Sequence, residues 1–200
     1  MSRPSIFDSR SSLSDSLDGR LVAPSLLYRV ARWYACHTRA RAEKQVNRLL
    51  RGIGVESYLP LVELQRQWAD RKKCVAFPLF PGYVFAQFDL RQTHEILRTP
   101  GVVTIVRTNG YPSPLRDEEI ASVRILMQGV DQTGILPSPA DYLASGEAVV
   151  VTDGPFRGMR GTLLETRGPA RVAVRLSGIH QAMSVELDRA VVQPTRIPRR

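Results

Sequence analysis

Between Phe77 and Phe88 the chain reads Phe-Pro-Leu-Phe-Pro-Gly-Tyr-Val-Phe-Ala-Gln-Phe, a turn-rich entry followed by an alternating run. Successive side chains of a strand point to opposite faces, so Tyr83, Phe85 and Gln87 share one face and Val84, Ala86 and Phe88 the other. The second set is expected to cover a core. Tyr83 and Phe85 then form an aromatic pair, either covered by a helix of the same domain or presented as a docking surface.

Similar patterns place the other elements. Arg32–His37 reads as a strand, followed by a helix with Thr38 as its N-cap. Its apolar stripe is Ala42, Val46, Leu49, Leu50 and Ile53, and Gly52 and Gly54 stop it. Val55–Leu59 is a second strand. Leu61–Cys74, with Trp68 and Arg71-Lys72-Lys73, is an extended hairpin or loop. Gln92–Leu97 is a short helix, Val102–Val106 a strand closed by Asn109-Gly110, and Asp117–Gln128 a final helix buried through Ile120, Val123 and Met127, with Leu126 beside them. The order β-α-β-β-α-β-α predicts an α+β fold, helices packed on a mainly antiparallel sheet. Residues 129–145 lose the pattern and read as a linker. Beyond it, short β-branched strands at 148–151, 162–165, 171–176 and 183–187 alternate with Gly- and Pro-rich turns, the signature of a small β-barrel.

Charge refines this picture. The formal net charge is +9, which favours a polyanionic partner. It is concentrated in residues 31–130, which hold fifteen basic and nine acidic residues. On the first helix Arg41, Lys44, Gln45, Asn47, Arg48 and Arg51 line the face opposite the apolar stripe, Arg39 extends it, and Glu43 is the one acidic residue to offset them. Unpaired cations on one face suit a phosphate backbone, although a charged face is more often simply solvated. Residues 1–28 are a polar leader expected to be disordered, and residues 195–200 a basic tail.

Candidate chemistry is sparse. There is no apolar run of spanning length and no signal-peptide pattern, so a cytoplasmic protein without a membrane partner is expected. The two cysteines, Cys36 and Cys74, have no metal-like spacing, and no metal or cofactor is expected. Cys36-His37 cannot readily form a nucleophile–base pair, because adjacent strand residues face opposite ways. The chain is not expected to be an enzyme.

The block from Trp33-Tyr34 to Phe80-Pro81-Gly82-Tyr83-Val84-Phe85, with Pro100-Gly101-Val102-Val103 and Pro112–Leu115 after it, resembles the NGN domain of NusG-type transcription elongation factors. The stretch from Gly146, with Val149-Val150-Val151, Asp153-Gly154-Pro155-Phe156, Gly158 and Gly161, is similar to a KOW motif. The resemblance covers residues 32 to about 194 in the family's order. It implies an NGN-type α/β sandwich (residues 29–128) joined by a linker (129–145) to an SH3-like KOW barrel (146–194). The tight Gly54–Pro60 connection and the segment Asp70–Phe80 look more like the specialised, RfaH-like branch.

What the resemblance implies for function is specific. The chain would act as a monomer that binds RNA polymerase, at the clamp helices of its largest subunit, and suppresses pausing and termination. Tyr83, Phe85, Phe80, Pro81 and Gly82 would form that contact, with His94 near a second jaw of the cleft. Arg39, Arg41, Lys44 and Arg48 would approach the non-template DNA strand, with Trp68 or His37 available for stacking. Gly154, Pro155, Phe156, Gly161 and Ile179 mark the KOW turn and its partner side, where a small-subunit ribosomal protein or the Rho terminator would dock; Phe156 itself is expected in the barrel core. The barrel is expected to stay β in the free protein. The rival expectation is a KOW-containing ribosome- or RNA-binding module that does not act on polymerase.

Overall fold

The computed structural model describes residues 28–68, 71–165 and 169–195, with a short pairing of Ser16–Leu17 and Arg20–Leu21. The expected leader, apart from that pairing, and the tail from 196 on lie outside the described residues, as do the side chains of Trp68 and Arg71-Lys72-Lys73.

Strand β1 (Arg32–Thr38) is the centre of the first sheet, because it is buried on both faces along nearly its whole length. It pairs antiparallel with β5 (Tyr83–Phe88) from Arg32↔Phe88 to His37↔Tyr83. Strand β2 (Glu56–Tyr58) extends the sheet beyond β5, while β6 (Val102–Ile105) and the two-residue β7 (Pro114–Leu115) share the other edge of β1. Strands β3 (Leu61–Trp68) and β4 (Arg71–Pro78) form a separate hairpin, the extended form of the segment expected between the second and central strands.

One face of this sheet is closed by its own neighbours in sequence. Helices α1 (Glu43–Gly52) and α2 (Thr93–Arg98) lay Val46, Leu50 and Ile96 over Tyr34, Cys36, Val84, Ala86 and Phe88, all fully buried. The expected core set on the central strand is therefore the observed one. Helix α1 starts later than expected: Thr38 completes β1, Arg41 takes a left-handed φ of 63°, and Ala42 is the N-cap. Thr38 cannot cap because Arg39, Ala40, Arg41 and Ala42 separate it from Glu43, the first helical residue.

The opposite face carries Trp33, Ala35 and Phe85 and is covered by α3 (Asp117–Thr133) through Ile120, Val123 and Met127. This helix runs past Gly129, where a stop was expected, and ends at Gly134, whose φ of 70° provides the left-handed cap. Gly129 is a packing residue: a Cβ there would lie 2.3 Å from the Phe156 ring. The linker is correspondingly shorter, and its strand β8 (Ser138–Ala140) pairs with the second sheet.

That second sheet is a six-stranded antiparallel barrel wall, in order β8, β12 (Ala182–Leu187), β11 (Ala170–Arg175), β10 (Arg160–Glu165), β9 (Glu147–Val151) and β13 (Val192–Pro194). Its interior is Val149, Val151, Met159, Leu163, Val172, Val174 and Val185. The barrel sits on the far side of α3. Arg160 donates its backbone N–H to Ser122 Oγ at 3.1 Å and pairs with Glu118 at 3.1 Å. Ser177 donates from both N (3.1 Å) and Oγ (2.6 Å) to Glu119 Oε1, and Gln181 Nε2 donates to the Pro81 carbonyl at 3.2 Å. One continuous apolar cluster thus runs from Trp33 and Phe85 through α3 to Phe156 and Ile179. A helix with two buried faces is the keystone between the two sheets.

Candidate protein and nucleic-acid interface

The Phe80–Tyr83 segment is a turn, closed by Tyr83 N–H to the Phe80 carbonyl at 3.2 Å, with Gly82 at φ 83° where a side chain would be strained. Pro81 is exposed at its tip, Gly82 and Tyr83 are half-buried, and Tyr83 lies against His37 with ring centroids 5.4 Å apart. Phe80 and Phe85 behave differently: both are fully buried, edge-to-face at 5.7 Å, and Tyr58 flanks Phe85 at 6.5 Å. The aromatic pair is therefore split in this conformation. Phe85 is sheet cover under α3, and Tyr83 is the member that reaches the surface.

The cationic face adjoins this turn. Arg39, Arg41, Lys44 and Arg48 are all exposed and make no ion pair among the described residues, whose four salt bridges involve Arg91, Arg116, Arg124 and Arg160. Arg51, on the same helix, is committed elsewhere: its guanidinium donates twice to the Ser57 carbonyl, at 2.9 and 3.2 Å, fastening α1 to β2. Glu43, the expected offset to these cations, is not on their surface at all. It is 6% exposed and points inward, where Oε1 accepts the Gly82 N–H at 2.9 Å. Its place in the sequence carried the signal, since Glu43, Val46 and Leu50 fall at i, i+3 and i+7 on one helical face.

His94 is exposed on α2, in a shallow groove with Leu49, Ile53, Glu95, Arg98, Thr99 and Pro100. It adjoins the C-terminal end of α1, whereas Gly82 is at the N-terminal end, so the fold does not bring His94 to the Phe80–Tyr83 turn. In the barrel, Gly154 and Pro155 are exposed, Gly161 is half-buried, and Phe156 and Ile179 are buried in the cluster that joins the barrel to α3. Phe156 thus packs outward onto Gly129, in addition to any part in the barrel's own core.

Cys36 and His37 point to opposite faces, as the strand period demands. Burial pushes the Cys36 thiol up to about 12, which keeps it protonated and unreactive at neutral pH. No group of His, Cys, Asp and Glu among the described residues is arranged to hold a metal, and no described helix is long and apolar enough to cross a membrane.

The chain is similar to known proteins over most of its length. A family model described as "Transcription termination factor nusG" matches residues 31–124. The chain is 33% identical over 184 residues to the transcription termination/antitermination protein NusG of Deinococcus radiodurans, covering 78% of this chain and 95% of that one. It is 30% identical over 180 residues to the protein of the same name from Thermus thermophilus, covering 78% of this chain and 94% of the relative. A solved structure described as "Domain interaction in Thermotoga maritima NusG" aligns over 83% of this chain and 98% of that one, at 23% identity and a TM-score of 0.45. With these relatives matched across nearly their whole length, the chain belongs to the NusG family.

Proposed function

We propose that this chain is a transcription elongation factor that binds RNA polymerase through its N-terminal unit and suppresses pausing and termination. The observation that carries the reading is the junction of the Pro81–Tyr83 turn, with Pro81 exposed and Tyr83 half-buried, and a cationic helix face without ion pairs among the described residues. One half suits a protein groove, with a rigid aromatic as anchor. The other suits a phosphate backbone, to which cations supply affinity without sequence choice.

In this reading Pro81, Gly82 and Tyr83 meet the clamp helices of the largest polymerase subunit, with Phe80 and Phe85 as the packed support beneath them. Arg39, Arg41, Lys44 and Arg48 run along the non-template DNA strand. His94, at the other end of α1, takes a second and separate contact. A factor that binds the closed clamp more tightly than the open one depletes the paused state by that difference in affinity alone. The barrel then recruits a further protein, a small-subunit ribosomal protein or the Rho terminator, and Gly154 and Pro155 are exposed on its turn together with Asp153. A partner that reads Phe156 has first to lift the barrel from Gly129. The direct Gly54–Pro60 connection supports placing the chain in the specialised branch of the family.

The test is single-round transcription by purified polymerase on a template carrying a pause and a terminator. The proposal predicts shorter pause dwell and more readthrough with the factor present. Unchanged elongation, together with tight binding to ribosomal subunits or RNA, would instead favour a ribosome- or RNA-binding module.

A further inference from the structure

We infer that Glu43 is a positioning residue: it ties the Phe80–Tyr83 turn to the N-terminus of the basic helix, so that the proposed polymerase-facing and DNA-facing groups hold one geometry. This rests on the polymerase-binding reading given above.

Glu43 is the first residue of α1 and is nearly sealed from solvent, yet no cation is paired with it among the described residues. A buried carboxylate needs compensation, because taking it out of water without partners is unfavourable. Two sources are in place. The positive end of the α1 dipole favours an acidic side chain in the first turn. The Gly82 N–H supplies a hydrogen bond to the charged oxygen at 2.9 Å, the stronger class of hydrogen bond.

Gly82 is the residue that makes the turn. Its φ of 83° sets the direction in which Tyr83 leaves, and its carbonyl accepts from Thr38 N–H at 2.8 Å. Its amide would otherwise have no partner in the strand ladder, since β5 begins at Tyr83. Glu43 therefore fixes the Pro81–Gly82 peptide, and fixes it to the helix that carries Lys44 and Arg48. The same helix start also packs on Gly101, where an added Cβ would lie 2.8 Å from Val46 and 3.2 Å from Ala42. Two glycine turns thus abut the start of α1, and Glu43 provides the polar bond to the one that leads to Tyr83.

The full-length chain and its Glu43→Ala and Glu43→Gln variants are compared by Gly82 amide exchange and by affinity for core RNA polymerase. Glu43→Ala is expected to expose the Gly82 amide and weaken polymerase binding by roughly tenfold, the scale of one charge-assisted hydrogen bond. Glu43→Gln, whose amide oxygen accepts the same bond, is expected to keep Gly82 protected and to restore most of the affinity. If Glu43→Ala also loses protection across β1 and β5, Glu43→Asp makes the comparison in a chain that keeps its charge but stops one methylene short of Gly82. Loss of Gly82 protection with wild-type polymerase affinity would overturn the positioning role and leave the polymerase reading intact. Weak binding by Glu43→Gln with Gly82 still protected would overturn it equally, by making charge rather than position the determinant. Failure of the unmodified chain to bind polymerase would remove the underlying reading instead.

Discussion

On one face of the central sheet Val84, Ala86 and Phe88 lie beneath α1 and α2, helices that directly adjoin the strands they cover. On the other face Trp33, Ala35 and Phe85 lie beneath α3, which carries the barrel on its far side. The first face is closed by local connections, so its burial follows from chain order. The second is closed by a helix that must satisfy two surfaces at once, and its environment extends to Phe156 and Ile179 of the barrel. Polar bonds fasten both sides: α1 is tied to β2 and to the Phe80–Tyr83 turn by Arg51, Asn47 and Glu43, and α3 to the barrel by Ser122, Glu118 and Glu119 through Arg160 and Ser177.

The largest effect that would test this comparison is in the first face. Phe88 is fully buried and packs on Tyr34 with ring centroids 4.7 Å apart. Phe88→Ala should destabilise the N-terminal unit by about 3–5 kcal/mol, read from denaturant midpoints. A loss well under 1 kcal/mol would mean that this face is loosely packed. On the second face Gly129→Leu drives a side chain into the Phe156 ring. It should weaken the α3–barrel contact by about 1–3 kcal/mol and raise the radius of gyration measured by X-ray scattering, while β1 and β5 stay protected from amide exchange. Collapse of both sheets together would show that the barrel is an integral part of the first fold.

Smaller effects sharpen the same contrast. Cys36 lies in the sealed face and Cys74 on the exposed hairpin. Native-state alkylation at pH 8 should modify Cys74 alone, and slowly, because its hydrogen bond to Glu63 raises its pKa. Cys36 should react only on unfolding; equal rates would contradict the local closure of that face. The smallest effect is at Asp89, which caps the short turn before α2 and is held below the ordinary carboxylate range by its hydrogen bond to Arg91. A depressed carboxyl stabilises the fold above its unfolded pKa, and that contribution disappears as pH falls through the folded value. The difference in melting temperature between wild type and Asp89→Asn should therefore be present at neutral pH and shrink on acidification below the usual carboxylate range. A difference that grows on acidification would reverse the assigned sign.

The legible parts of the sequence were those with a local period. Val84, Ala86 and Phe88 declare their face by alternation, and Ile120, Val123 and Met127 by helical spacing. Gly129 was misleading because a glycine within a helix can mark an end or a close approach, and only the distant Phe156 decides which. Phe85 looked like a docking residue for the same reason, since its cover comes from α3 rather than from its own strand neighbours. Glu43 was read as surface charge although its spacing with Val46 and Leu50 placed it inward. The cations Arg39, Arg41, Lys44 and Arg48 were readable from the helical spacing that puts them opposite the apolar stripe or at its start, and the inward turn of Glu43 leaves them without the acidic neighbour the sequence reading gave them.

The most direct test of the account is the affinity of core RNA polymerase for the wild-type chain and for Tyr83→Ala. Tyr83 is the aromatic of the turn that reaches the surface, so its truncation should leave the sheet folded. The account predicts tight wild-type binding, weakened by roughly tenfold or more in the variant, as expected for an aromatic anchor. Equal binding by the two chains would contradict it and place the polymerase contact on another surface.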